Sequence, residues 1–225
     1  LNSRTFLSHR RAWEWVAGRK GYTLICESDF VPCKGLGGFP VFWPVEDERA
    51  WGYLYQGSPR LLAVHGKGQW LRGHCAPLVA YVINATVARL MLQCFEQEVL
   101  EYGLEQYFNF DAHLQWGVMK RGGRAYIPLR HYGEHGGFPN REHHTLGMLS
   151  RRGEHHADRL QARLHFLPQY ARGSWICYYR KRLYYYLLGW LRLLTGRWIY
   201  EVDVHPLSIR DRVEMSWIGV RRLLV

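Results

Sequence analysis

The run Tyr22-Thr-Leu-Ile-Cys26 carries no charge, is rich in β-formers, and is closed abruptly by Glu27-Ser28-Asp29. Such a run is predicted to form a central strand buried on both faces, which requires covering layers above and below it. Residues 5–17 offer one layer: Phe6, His9, Ala12, Trp13 and Val16 recur at helical spacing, and Gly18 and Gly21 stop the helix. The stretch 31–50 is rich in Gly and Pro and reads mostly as loop. WGYLYQG at 51–57, RLLAVHG at 60–66 and PLVAYVI at 77–83 read as strands. Asn84 is placed to cap a helix over 85–103. A further helix is predicted over 110–120, ended by Gly122-Gly123, with the strand AYIPL at 125–129 after it. Strands alternating with helices predict an α/β sandwich, a mixed sheet flanked by helices, with ligands at the carboxyl ends of strands.

Two divisions of the chain follow: residues 1–157 as the α/β domain, and residues 158–225 as a basic amphipathic helical tail. The segment 174–200 carries five basic residues and no acid among Tyr, Trp and Leu. That composition suits a helix lying in a membrane interface, or equally one packed on the domain as an amphipathic core helix. No stretch reaches about 18 uninterrupted apolar residues, so no transmembrane helix is expected. The formal net charge of +11 calls for an anionic partner. The basic residues are spread along the chain and no RNA-binding motif is present, so nucleic acid is not the favoured one. Five cysteines, odd in number and without a CxxC pair, are expected to be buried thiols in a reducing compartment.

The candidate chemistry centres on the acids. In an extended segment residues i and i+2 face the same way, so Glu27 and Asp29 are expected to share a site. Two close carboxylates repel unless a cation joins them, and Mn²⁺ or Mg²⁺ suits carboxylate and phosphate oxygens. The plainer alternative is the polar end of a strand. Asp111, at the start of the 110–120 helix, is either an N-cap residue or a carboxylate kept ionised by the helix dipole. The loop RHYGEHGGFPNREHH at 130–144 is rich in His, Arg and Gly. There Arg130, Asn140 and Arg141 are candidates to bind substrate, His135 or His143 to ligate metal, and Glu134 to rival Asp111 as base. Its Gly133, Gly136 and Gly137 permit close backbone approach. Glu142-His143-His144 lacks the HExxH spacing, which excludes a zinc protease of that type.

Four segments in order resemble glycosyltransferase family 25, the bacterial lipooligosaccharide and collagen galactosyltransferases of GT-A fold. In LSHRRAWEW (7–15), Ser8, His9 and Trp13 match that family's Ser-His helix, and GYTLICESDFVP (21–32) matches its strand ending in Glu-Asp-Asp. AYVINATVARLM (80–91) matches through Ala80-Tyr81, Ala88 and Leu90, and FNFDAHL (108–114) through Asp111. The resemblance covers roughly residues 5–145. It implies a GT-A-like fold and a metal-dependent transfer of a hexose, galactose in those relatives, from a nucleotide-sugar donor to a glycan or glycolipid acceptor. It also implies Mn²⁺ or Mg²⁺ at Glu27, Asp29 and His135, Ser8 and His9 near the donor, and Asp111 or Glu134 as base. Ser28 stands where the family has an acid, and the family's base-contacting first strand is expected to precede Leu1. The expected setting is lipopolysaccharide or capsule assembly at the inner face of the cytoplasmic membrane, with the C-terminal helix in peripheral membrane contact. The alternative is a non-catalytic basic protein that binds nucleic acid or anionic membrane.

Overall fold

The computed structural model describes residues 2–57, 60–74, 77–104, 110–138, 156–200 and 207–224. Its elements in chain order are α1 (Asn2–Ala17), β1 (Thr23–Cys26), β2 (Phe30–Pro32), β3 (Ala50–Tyr53), β4 (Arg60–His65), β5 (Trp70–His74) and β6 (Ala80–Ile83). Then follow α2 (Ala85–Tyr102), α3 (Phe110–Lys120), β7 (Arg124–Ile127), β8 (Gly133–His135), α4 (Trp175–Leu194) and α5 (Ile209–Leu224). Six strands form one mixed sheet in the order β1-β6-β3-β7-β5-β4, parallel only between β3 and β7. β2 and β8 make a separate antiparallel pair. The protein is therefore mixed α/β.

Alternation along the strands splits the core into two layers. Trp51, Tyr53, Tyr81, Ile83, Ala125 and Ile127 face α1, α2 and α3. Ala50, Ala80 and Tyr126 face the other way, against Phe42, Trp43, Tyr55 and Tyr132. Gly52 shows how close that second layer lies: a Cβ there would meet the Trp43 and Phe42 rings at 2.7 and 2.8 Å. The Asn84 carboxamide accepts from the Val87 N–H at 3.0 Å, starting α2 where its sequence predicts.

Three expectations change. β1 is an edge strand of alternating exposure rather than a central buried one, with Leu24 43% exposed, because it has β6 as its one neighbour. Residues 31–32 and 133–135, expected as loop, pair with each other as strands, with Phe30 starting the first. The break expected after residue 157 has no counterpart in the packing. Leu160 bridges to His131, Leu164 to Cys33 and Ile199 to Leu61, while Trp198, Met215 and Ile218 join the main core. The thiols divide as well: Cys33 and Cys94 are buried, whereas Cys26 and Cys177 are exposed.

Two buried charge clusters hold the C-terminal helices in place. From α5, Arg222 donates to Asp158 and, at 2.7 Å, to the Leu129 carbonyl. Asp158 also faces His131 at 3.1 Å. The Gln56 N–H donates to His131 Nδ1, so the ring's proton is on Nε2 and points to Asp158. Burial, then Arg222, push His131 down to about 4, leaving it neutral. Burial alone would raise Asp158, but Arg222 and His131 outweigh it and hold the carboxyl well below the usual range. From α4, Arg182 pairs with the fully buried Glu134 at 2.8 Å and donates to the Ala157 carbonyl at 2.6 Å.

Removing one member of such a cluster strands its partner without compensation. Asp158→Ala is predicted to lower the unfolding free energy by about 3–5 kcal/mol in urea denaturation, whereas a loss under about 1 kcal/mol would contradict a closed pair.

Candidate functional site

Glu27-Ser28-Asp29 forms a tight turn between β1 and β2, closed by the Phe30 N–H donating to the Glu27 carbonyl at 3.1 Å. The two carboxylates converge because of this turn, not because the segment is extended as the sequence suggests. The Glu27 N–H is tied to the Val79 carbonyl at 2.8 Å, which fixes the turn against the sheet. β8 brings the third group: His135 is registered opposite Phe30, and its Nε2 lies 2.9 Å from Asp29 Oδ2.

The ligand-capable atoms of Glu27, Asp29 and His135 all lie within 4.8 Å of one another. Metal–oxygen bonds of about 2.1–2.4 Å place ligands on opposite sides of one ion about 4.2–4.8 Å apart, so the spacing fits a single cation. Side-chain exposures of 30%, 29% and 24% leave the trio open to a ligand. Asp29 Oδ1 is enclosed and has no hydrogen-bond partner, an orphaned acceptor that a cation would satisfy. The close approach demands glycine: a Cβ on Gly137 would meet Asp29 Oδ2 at 2.4 Å, and one on Gly136 would meet the Asp29 carbonyl at 3.1 Å.

The electrostatics of the trio are those of a preformed ion pair. Burial would raise Asp29, but the hydrogen bond and charge of His135 lower it overall. Burial would lower His135, but Asp29, then Glu27 and Glu134, raise it overall.

Glu27 is held from behind by a chain of polar groups reaching into the core. His9 Nε2 lies 3.3 Å from Glu27 Oε1, and His9 Nδ1 lies 2.8 Å from the Tyr81 hydroxyl. The Trp13 Nε1–H donates to that same hydroxyl at 2.9 Å. The Glu27 carboxylate can only accept, so the Nε2–H of His9 donates to it. Trp13 and Tyr81 are both fully buried, and a buried indole or phenol needs a polar partner, which is the sequence signal for this chain of bonds.

Asp111 lies at the first turn of α3. The Leu78 N–H donates to its carboxylate, while Oδ1 is enclosed without a partner. Burial first, then the negative charge of Glu27, push its carboxyl up to about 7, against the smaller opposing effect of His9. The charges of Glu27 and His9 act on Asp111, which puts it on the Glu27 side of the site.

The other sequence candidates go elsewhere. Glu134 is committed to Arg182 and to the Tyr170 hydroxyl and is fully buried, so it has no free face for an acceptor. It anchors β8 instead, one residue from His135, and the pairing residues Arg182 and Tyr170 have no local sequence signature. Arg130 donates from Nε to the Arg222 carbonyl at 3.3 Å, at the end of α5 and away from the trio. Ser8 is exposed and bonds back to the Arg4 carbonyl at 2.9 Å, an internal contact of α1. Asn140, Arg141 and His143 lie outside the described residues.

Compared with known proteins, the chain matches no family model, no curated protein and no solved structure.

Asp111 gives the site a pH signature. Its folded pKa of about 7 exceeds the unfolded value of about 3.9. The stability it contributes is therefore complete below about pH 4 and is lost as pH rises through about 7. Asp111→Asn stays neutral throughout. Its stability relative to the parent is predicted to grow from pH 4 to pH 7 and then level off, by about 2–4 kcal/mol in urea denaturation series. A difference that does not vary with pH would contradict the assignment.

Proposed function

We propose that this chain is a metal-dependent glycosyltransferase of GT-A-like fold. It would move a hexose such as galactose from a nucleotide-diphosphate sugar to a glycan or glycolipid acceptor, as in lipopolysaccharide or capsule assembly. The observation that carries the reading is the convergence of Glu27, Asp29 and His135, with an orphaned Asp29 oxygen, and with Glu27 acting on a carboxyl, Asp111, whose pKa is about 7. Those three residues would hold Mn²⁺ or Mg²⁺, which acts as a Lewis acid on the leaving diphosphate. Asp111 would take the proton of the acceptor hydroxyl, since a base with a pKa near the working pH combines availability with driving force. His9, fixed by Tyr81 and Trp13, would keep Glu27 turned toward the cation.

The test is release of nucleoside diphosphate from a panel of common nucleotide sugars with Mn²⁺ present. Turnover is expected, with Asp29→Ala and Asp111→Asn each reduced at least about 100-fold. If no donor is bound or hydrolysed and Asp29→Ala behaves as the parent, the reading is wrong.

The same reading places the enzyme on the inner face of the cytoplasmic membrane. No described helix is long and apolar enough to cross a membrane. One side of α4 packs inward through Tyr178, Tyr185 and Gly189, while Ile176, Tyr179, Leu183, Leu187, Leu191 and Leu194 recur at three- and four-residue spacing and are exposed. α5 exposes Ile209, Val213, Trp217 and Leu224. Exposed Arg172, Arg180, Arg197, Arg210 and Arg212 flank these stripes, a charge pattern suited to anionic headgroups. The protein is expected to sediment with phosphatidylglycerol-containing vesicles and not with pure phosphatidylcholine. Replacing Leu187 and Leu191 together by Glu should weaken that binding at least about tenfold. Equal binding by parent and variant would remove the membrane from the account.

A further inference from the structure

The second face of the sheet carries an arginine, Arg72, that forms no salt bridge among the described residues. Arg72 on β5 is registered opposite Tyr126 on β7, so both side chains leave the sheet on the same side. Arg124 stands two residues before Tyr126 on that same side, a diagonal neighbour of Arg72. Trp70, two residues before Arg72, packs with the same layer. Tyr126 is in turn registered opposite Gly52, over which the Trp43 and Phe42 rings lie.

Two guanidinium groups thus share one aromatic-walled face, but the nearby carboxylate is already spent. Asp47 takes a two-pronged contact from Arg124, and its Oδ1 also accepts from the Arg49 N–H at 3.0 Å. Arg72 forms no salt bridge among the described residues, and its Nε is enclosed with no hydrogen-bond partner. Glu46, in the same loop as Asp47, is exposed. Burial lowers the Arg72 guanidinium and Arg124 adds to this, against the opposing effects of Tyr126 and Asp47, and burial with Arg72 lowers His65 at the other end of the hairpin. A half-buried guanidinium whose one nearby carboxylate, Asp47, is bonded to Arg124 instead is incompletely compensated, and an external oxyanion is the simplest group that would satisfy it.

We infer that Arg72, backed by Arg124 and walled by Trp70 and Tyr126, forms an anion-binding subsite for a phosphate group carried on a sugar. The guanidinium fork matches phosphate oxygens, and the partly exposed Trp70 ring offers flat apolar area for a sugar ring, with the buried Tyr126 behind it. The subsite is four strand spacings, about 19 Å, from β1, so it is separate from the metal-ligand trio. Under the transferase reading it would hold a phosphorylated sugar of an extended acceptor, but its existence does not rest on that reading.

The experiment is calorimetric titration of the full chain, free of divalent metal, with glucose 6-phosphate, inorganic phosphate and glucose. The parent is expected to bind glucose 6-phosphate several-fold more tightly than inorganic phosphate and not to bind glucose. Arg72→Gln should weaken glucose 6-phosphate binding at least tenfold, while Arg11→Gln, on the exposed side of α1, leaves it unchanged. Arg72→Met adds a reading independent of any ligand: in anion-free buffer it should melt at a higher temperature than the parent, and added phosphate should raise the parent's melting temperature but not the variant's. Unchanged binding in Arg72→Gln, or a lower melting temperature for Arg72→Met in anion-free buffer, would overturn the subsite. Equal affinity for glucose 6-phosphate and inorganic phosphate would overturn the sugar-borne ligand. Because the titrations contain no metal, their outcome is independent of whether Asp29→Ala abolishes turnover.

Discussion

The approach of β8 to the Glu27–Asp29 turn is the contact on which the site depends. Two glycines make it possible, since a side chain at Gly137 would occupy the space of the Asp29 carboxylate and one at Gly136 that of the Val31 side chain on β2. Strand alternation then divides the labour between neighbours: His135 reaches Asp29, while Glu134 is bound by Arg182 and Tyr170 in the interior. One short strand therefore carries a candidate ligand on one side and its anchor on the other. Arg182, which pairs with that anchor, belongs to α4, so the helix with the exposed apolar stripe is tied by a buried ion pair to the strand that presents His135.

Buried polarity recurs throughout the molecule and has two forms. In the Arg222–Asp158–His131 and Arg182–Glu134–Tyr170 clusters the charges are paired and hydrogen-bonded, which offsets their desolvation and fixes where the C-terminal helices sit. At Asp29, Asp111 and Arg72 an enclosed polar atom has no partner. Closed clusters of this kind serve the fold; open ones are where an external ion, proton or anion has something to gain.

Much of the helical frame was legible because local chemistry specifies it. Asn84 caps α2, and α3 runs over the predicted residues 110–120 before Gly122-Gly123. Membership of the acid–histidine trio was legible too, since acid-x-acid at a strand end and histidine among glycines are local patterns. Its geometry was not, because a turn, rather than an extended strand, brings Glu27 and Asp29 together. β2 and β8 escaped notice because each has three residues and is defined by a partner about a hundred positions away. β1 misled for a related reason: a five-residue run that is uncharged and rich in β-formers signals burial, but its sequence does not say whether one neighbour or two will cover it. The tail read as an appendage because its apolar residues do not reveal which side meets the core, and Arg182 and Arg222 look like surface charges until Glu134 and Asp158 are placed beside them.

The central claim is that Glu27, Asp29 and His135 close on one divalent cation. Electron spin echo envelope modulation of the protein with one equivalent of Mn²⁺ tests it directly, because it detects nitrogen bound to the ion. The account predicts a single bound Mn²⁺ with a histidine nitrogen coupling that disappears in His135→Ala, and no ordered Mn²⁺ in Asp29→Ala. Mn²⁺ bound without nitrogen coupling, or coupling that persists in His135→Ala, would contradict it.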